Sequence, residues 1–104
     1  MVLLKIAVEI KPQKRTEFLQ AMQSLVLAAP PEPGCLERVV YQRLDDENAY
    51  CCLEVWDSRE KMTAHLRTDR FKALLGAVQV LGEMKELSQN TFFPADALQE
   101  GGAA

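Results

Sequence analysis

The chain has 104 residues, 48% of them hydrophobic and 26% charged, a balance that suits one compact domain and excludes a disordered chain. Its net charge is −3, and its 12 basic residues are scattered, which excludes a nucleic-acid surface built on a basic stripe. No run approaches the roughly 18 apolar residues of a membrane span. Met1-Val-Leu-Leu-Lys5 lacks the basic start, long apolar run and small-residue cleavage site of a secretory leader. The three cysteines are an odd number and two are adjacent, Cys51 and Cys52, so they form no disulfide framework. Reduced thiols fit a cytoplasmic protein, and that location is expected here.

Leu4, Ile6, Val8 and Ile10 alternate with Lys5, Ala7 and Glu9, a period of two that predicts a first strand with one apolar face. Pro12 ends it and can open a helix. Gln13 to Leu27 then places Phe18, Leu19, Met22, Leu25 and Val26 on one side of an amphipathic helix. Pro30-Pro31-Glu32-Pro33-Gly34 cannot be helical and is a stiff connection. Cys35 to Leu44 is rich in β-formers, Asp45-Asp46-Glu47-Asn48 is a turn, and Ala49 to Trp56 is a third strand, apolar on both faces except at Glu54. Ser58 caps a helix running to about Leu66, with Glu60 adding negative charge at its positive end. Thr68 or Asp69 caps another, in which Phe71, Leu74, Leu75, Val78 and Leu81 recur at helical spacing and Gly82 is the stop. Glu83 to Thr91 is a last strand, followed by the apolar pair Phe92-Phe93.

The order β-α-β-β-α-β predicts an α+β, ferredoxin-like domain over residues 1–95: a four-stranded antiparallel sheet with helices on one face. Residues 96–104 are expected to fray. The central strands offer apolar side chains to both faces, more than one helical layer can cover, so a homodimer packed sheet to sheet is expected, with Phe92-Phe93 as an arm reaching the partner.

Chemistry, if present, is expected where the third strand turns into the next helix. The only Trp, Trp56, stands just before that cap, and the only His, His65, follows about two turns into the helix. An aromatic wall and an imidazole then face one space between sheet and helix. Glu54 lies two residues before Trp56 and shares its strand face.

Glu32-Pro33-Gly34-Cys35, then Glu54-x-Trp56-x-Ser58-x-Glu60, then Ala64-His65-Leu66 and Phe71 make the chain resemble the antibiotic biosynthesis monooxygenase family, from the first strand to about Phe93. That resemblance implies a dimeric α+β barrel. It implies a monooxygenase that uses O2 on a phenolic or quinol compound with no metal, flavin or other cofactor. An acidic hydroxyl group loses its proton, and the anion passes an electron to O2, so the protein needs a dry pocket, a base and hydrogen bonds to the anion. His65 is the side chain whose ordinary pKa suits the base. Trp56, Phe18, Met22, Phe71 and Leu75 are candidate walls, and Tyr41 and Tyr50 are candidates to orient substrate or stabilise charge. Glu54 is a candidate to hold the imidazole or bind substrate. Haem-degrading relatives carry an Asn on the first strand, where this chain reads Lys5-Ile6-Ala7-Val8, which argues against haem.

Each residue also has a plainer role. A lone His is often a surface or capping group, Trp56 a core residue, the tyrosines strand residues, and Phe18, Met22, Phe71 and Leu75 core. One His and scattered Cys give no zinc spacing, and no glycine-rich loop offers a phosphate site. The alternative function is a non-catalytic dimeric barrel that binds an apolar small molecule or a protein partner. A third, an isomerase-like enzyme, requires basic residues in the pocket, with Arg38, Arg43 and Arg67 as the candidates.

Overall fold

The computed structural model describes residues 1–30 and 32–93. The expectation of a frayed tail after residue 95, and the domain boundary placed there, lie outside them. Strand β1 (Val2–Ile10) follows its alternation: Val2, Leu4, Ile6, Val8 and Ile10 are all buried, and Leu3, Lys5 and Ala7 are half-buried.

The next segment departs from one continuous helix. Pro12–Lys14 is a 3-10 turn, α1 runs Arg15–Met22, and Gln23–Leu27 is a π-helical turn closed by Ala28 N–H on the Gln23 carbonyl at 2.8 Å. Phe18, Met22 and Val26 are buried at four-residue spacing, whereas Leu19, expected on the apolar side, is exposed. A regular helix would offer the Val26 carbonyl to the N–H of residue 30, but Pro30 has none. That carbonyl is instead taken by Arg38 Nη1 at 3.3 Å.

Strands β2 (Cys35–Gln42) and β3 (Ala49–Trp56) form the expected hairpin. β2 stops two residues before Leu44, whose side chain is fully exposed beside the acidic turn. Helix α2 (Arg59–Leu66) is capped by Ser58, whose hydroxyl accepts from Lys61 N–H at 3.3 Å. Helix α3 (Asp69–Leu81) is capped by Thr68, which accepts from Phe71 N–H at 3.2 Å. Strand β4 (Gly82–Thr91) begins at Gly82, not Glu83. The backbone of Glu9 and Ile10 passes so close there that a Cβ would collide with it.

All pairings are antiparallel, in the order β2-β3-β1-β4, which is the ferredoxin-like arrangement with β1 and β3 central. Tyr50, Cys52, Glu54 and Trp56 share the face of β3 that is buried with Val2, Leu4, Ile6 and Val8, and that face packs under the helices. The largest fully buried side chains there include Trp56, Phe18, Leu4 and Met62. The other face presents Leu3 and Ala7, Cys51, Leu53 and Val55, and Val39 and Tyr41.

Candidate functional site

Three elements and a loop deliver charge to one buried spot. β3 alternates its side chains, so Glu54 and Trp56 both point to the helical face. The hairpin register sets Arg38 of β2 directly opposite Glu54. Helix α2 lowers His65 onto them from above, and the 30–34 connection brings in Glu32. Gly34 turns that connection with φ +90, where a Cβ would also strike Lys61 and Asp57. Asp57 N–H donates to the Gly34 carbonyl at 2.9 Å and ties the loop to the end of β3.

The imidazole of His65 is held on both sides. Nδ1 lies 2.8 and 2.9 Å from the two oxygens of Glu32. Nε2 lies 3.2 Å from Glu54 Oε1. This second contact is a close ion pair without hydrogen-bond alignment, since Glu54 Oε1 receives no directed donor among the described residues. Arg38 Nε donates to Glu54 Oε2 at 2.6 Å, and Nη2 reaches Glu32 Oε1 at 3.4 Å. His65 and Glu54 are only 6% and 4% exposed. Two carboxylates thus share a guanidinium and an imidazole, and the cluster is neutral when the imidazole carries its proton.

The pKa shifts follow from that balance. Burial alone would lower His65, but the Glu54 and Glu32 carboxylates outweigh it and raise it above the ordinary 6.5. Burial alone would raise Glu54, but contact with His65 and Arg38 outweighs it and brings it below 4.5. The carboxylates flank opposite nitrogens of one ring, so they do not converge on a common point as metal ligands would.

Two aromatic rings adjoin the imidazole. Trp56 lies with its ring centroid 4.8 Å from His65 at an interplanar angle of 34°, and Phe71 lies 5.3 Å away at 59°. The indole N–H of Trp56 is buried with no acceptor among the described residues. A buried donor left bare costs about 1–3 kcal/mol.

The expected residues therefore divide. His65, Trp56, Glu54 and Phe71 meet. Phe18, Met22 and Tyr50 lie further along the sheet, where with Ile6, Cys52 and Leu74 they line an apolar crevice of about 10 Å³. That is about the volume one water needs, far below that of a phenol. Leu75 is half-buried at the margin of the core, and Leu74 lines the crevice in its place. Tyr41 is 52% exposed on the opposite sheet face, away from the imidazole. Arg43 is bound at the surface to Asp45, at 2.9 and 2.7 Å, and Arg67 is exposed, so of the three arginines Arg38 alone joins the cluster.

A family model, antibiotic biosynthesis monooxygenase, matches residues 1–76, a span that takes in Glu32, Arg38, Glu54, Trp56, His65 and Phe71. The chain belongs to the antibiotic biosynthesis monooxygenase family. It is 32% identical over 75 residues to "Putative monooxygenase YcnE" of Bacillus subtilis (strain 168), covering 72% of this chain and 79% of that protein. A conserved protein from Methanosarcina mazei Go1 superposes with a TM-score of 0.74 at 28% identity, over 86% of this chain and 87% of that one. A Bacteroides thetaiotaomicron VPI-5482 protein described as a possible oxidoreductase superposes with a TM-score of 0.78 at 25% identity, over 88% and 96% of the two chains. The family and the name of the Bacillus subtilis relative thus support a monooxygenase-like role.

Proposed function

We propose that this family member is a cofactor-independent monooxygenase that oxidises a small phenolic or quinol compound with O2, as a homodimer in the cytoplasm. The observation that carries the reading is the buried pairing of an imidazole, held between two carboxylates, with an indole N–H that has no acceptor among the described residues. His65 in its neutral form takes the proton of the substrate hydroxyl. The phenolate gives one electron to O2, and the phenoxyl radical and superoxide join at a ring carbon. The His65 imidazolium returns its proton to the peroxide, which loses water together with the hydrogen of that ring carbon and leaves a carbonyl: one oxygen atom of O2 enters the product and the other leaves as water. The Trp56 N–H is the candidate donor to the oxyanion, in a dry setting where such a bond counts most. Glu54 orients the ring and Arg38 holds Glu54.

The competing reading, a non-catalytic barrel that binds a ligand or partner, draws on the same site: both imidazole nitrogens are occupied and the apolar crevice is small. Oxygen uptake with a panel of phenols and hydroquinones separates the two. The enzyme reading expects uptake that falls about 10²–10⁴-fold in His65→Ala, the range that general bases contribute. Because the His65 pKa is raised, its neutral form grows only above pH 6.5, so the rate should climb with pH through an inflection above that value. No uptake with any member, or a His65→Ala rate equal to the parent, overturns it.

A further inference from the structure

Glu32 stands apart from the rest of the cluster. Glu54 is sealed under the helices, whereas the Glu32 side chain is 20% exposed and comes from a loop. Its carboxylate sits flat against Nδ1 of His65, with both oxygens within 2.9 Å, and one of them leans on Arg38 Nη2. The loop backbone is fixed separately, by Cys35 N–H on the Glu32 carbonyl at 3.0 Å and by Asp57 N–H on Gly34. The Glu32 side chain can therefore swing out to water by its own torsions while the loop stays in place. That swing would leave a guanidinium edge and an imidazolium N–H facing one carboxylate-sized gap. Outside Arg38, between the π-helical turn and the start of β2, lies an open groove of about 210 Å³ lined by Val26, Leu27, Cys35 and Leu36. Its lining mixes these apolar side chains with the Glu37 carboxylate and the Arg38 guanidinium.

We infer that Arg38 and His65 form a subsite for the carboxylate of an aromatic hydroxy acid, and that the Glu32 carboxylate occupies it in the absence of substrate. The inference rests on the reading of this site as one for a small phenolic compound and narrows that class to phenols bearing an acid group. Glu32 stands in for the ligand: a planar two-oxygen anion that meets one guanidinium N–H and a ring N–H, both charge-assisted donors. The ligand wins by adding ring contacts in the groove, and Glu32 weakens it by competing from within the chain.

The test is calorimetric titration of the full chain with salicylate, with salicylamide as a neutral probe of the same shape. Glu32→Ala should bind salicylate at least tenfold more tightly than the parent, and salicylamide no more tightly than the parent does. Adding Arg38→Gln to that variant should abolish the gain. Equal salicylate affinity in parent and variant, or equal gains for acid and amide, overturns the subsite. Should Glu32→Ala fail to fold, Glu32→Gln, which keeps the shape and drops the charge, supports the same comparison. Oxygen uptake in the same variants separates this inference from the broader one. Tight salicylate binding with no turnover of any phenol leaves the subsite and removes the monooxygenase. Turnover without preference for the acid does the reverse.

Discussion

At the scale of single residues, the site is a problem in keeping charge inside a protein. Glu54 is buried, and its ionised form is tolerable only because Arg38 and His65 meet it. Removing one partner of such a pair strands the other, at a cost of about 3–5 kcal/mol. Arg38→Ala should therefore lose stability in that range by urea unfolding, where an exposed arginine such as Arg43 should lose under about 1 kcal/mol. The two titrations pull in opposite directions. His65 has a raised folded pKa, so its contribution is complete below 6.5 and fades as pH rises through the folded value. Glu54 has a lowered one, so its contribution is complete above 4.5 and fades as pH falls through the folded value. The cluster then stabilises most between those two pH values. Glu54→Gln removes the larger of the two carboxylate influences on the ring. Its imidazole should titrate at a lower pH than the parent's, as followed by NMR, and an unchanged titration would remove Glu54 as the group that tunes the base.

At the scale of elements, the short α2 is held at both ends by hydroxyls with unequal duties. Ser58 accepts one N–H at its start. Thr68 accepts the Phe71 N–H and also donates to the His65 carbonyl at 2.8 Å, so it both starts α3 and closes the end of α2. A lost cap costs about 1 kcal/mol. Ser58→Ala should cost near that figure, and Thr68→Ala should cost more and also disturb His65, visible as a larger loss of oxygen uptake. Equal losses in both measures would reduce Thr68 to an ordinary cap. The caps, the strands and the third helix are legible in the sequence because each is written in neighbouring residues: alternation in Leu4 to Ile10, a hydroxyl before Arg59, recurrence of Phe71, Leu74 and Val78. The meeting of Trp56, Glu54 and His65 follows from strand parity and about two helical turns. Glu32 and Arg38 are different. Arg38 reads as a polar interruption in a strand until the hairpin is paired around its acidic turn, and only then does it fall opposite Glu54. Glu32 enters through a proline-rich loop whose path depends on Gly34 and on contacts with the end of β3, so no local pattern aims its side chain. The break of the first helix into α1 and a π-helical turn is also non-local in cause, since it combines a missing Pro30 N–H with an arginine from another strand.

At the scale of the molecule, the sheet has one face under helices and one without cover in the single chain. Leu3, Ala7, Val39, Cys51, Leu53 and Val55 form the centre of that second face, with the Lys5–Glu86 ion pair at 3.4 Å beside them. Four strands about 4.8 Å apart and about 26 Å long give a flat footprint of roughly 500 Å². A standard interface takes about 800 Å² from each partner. Side-chain relief on the sheet supplies part of the difference, and Phe93, 72% exposed just after β4, is placed to supply more. The proposed homodimer thus rests mainly on the middle of β3 and secondarily on this arm. A charge at the centre should cost more than a truncation at the edge, because a buried unpaired ammonium loses its hydration while a lost ring loses only contact area. Leu53→Lys should sediment as a monomer at micromolar concentration, and Phe93→Ala should remain a dimer with weaker association. Because Leu53 points away from His65, the Leu53→Lys chain should keep the imidazole titration of the parent, which separates loss of the partner from damage to the site. A parent chain that sediments as a monomer at that concentration would leave the open face without its proposed cover.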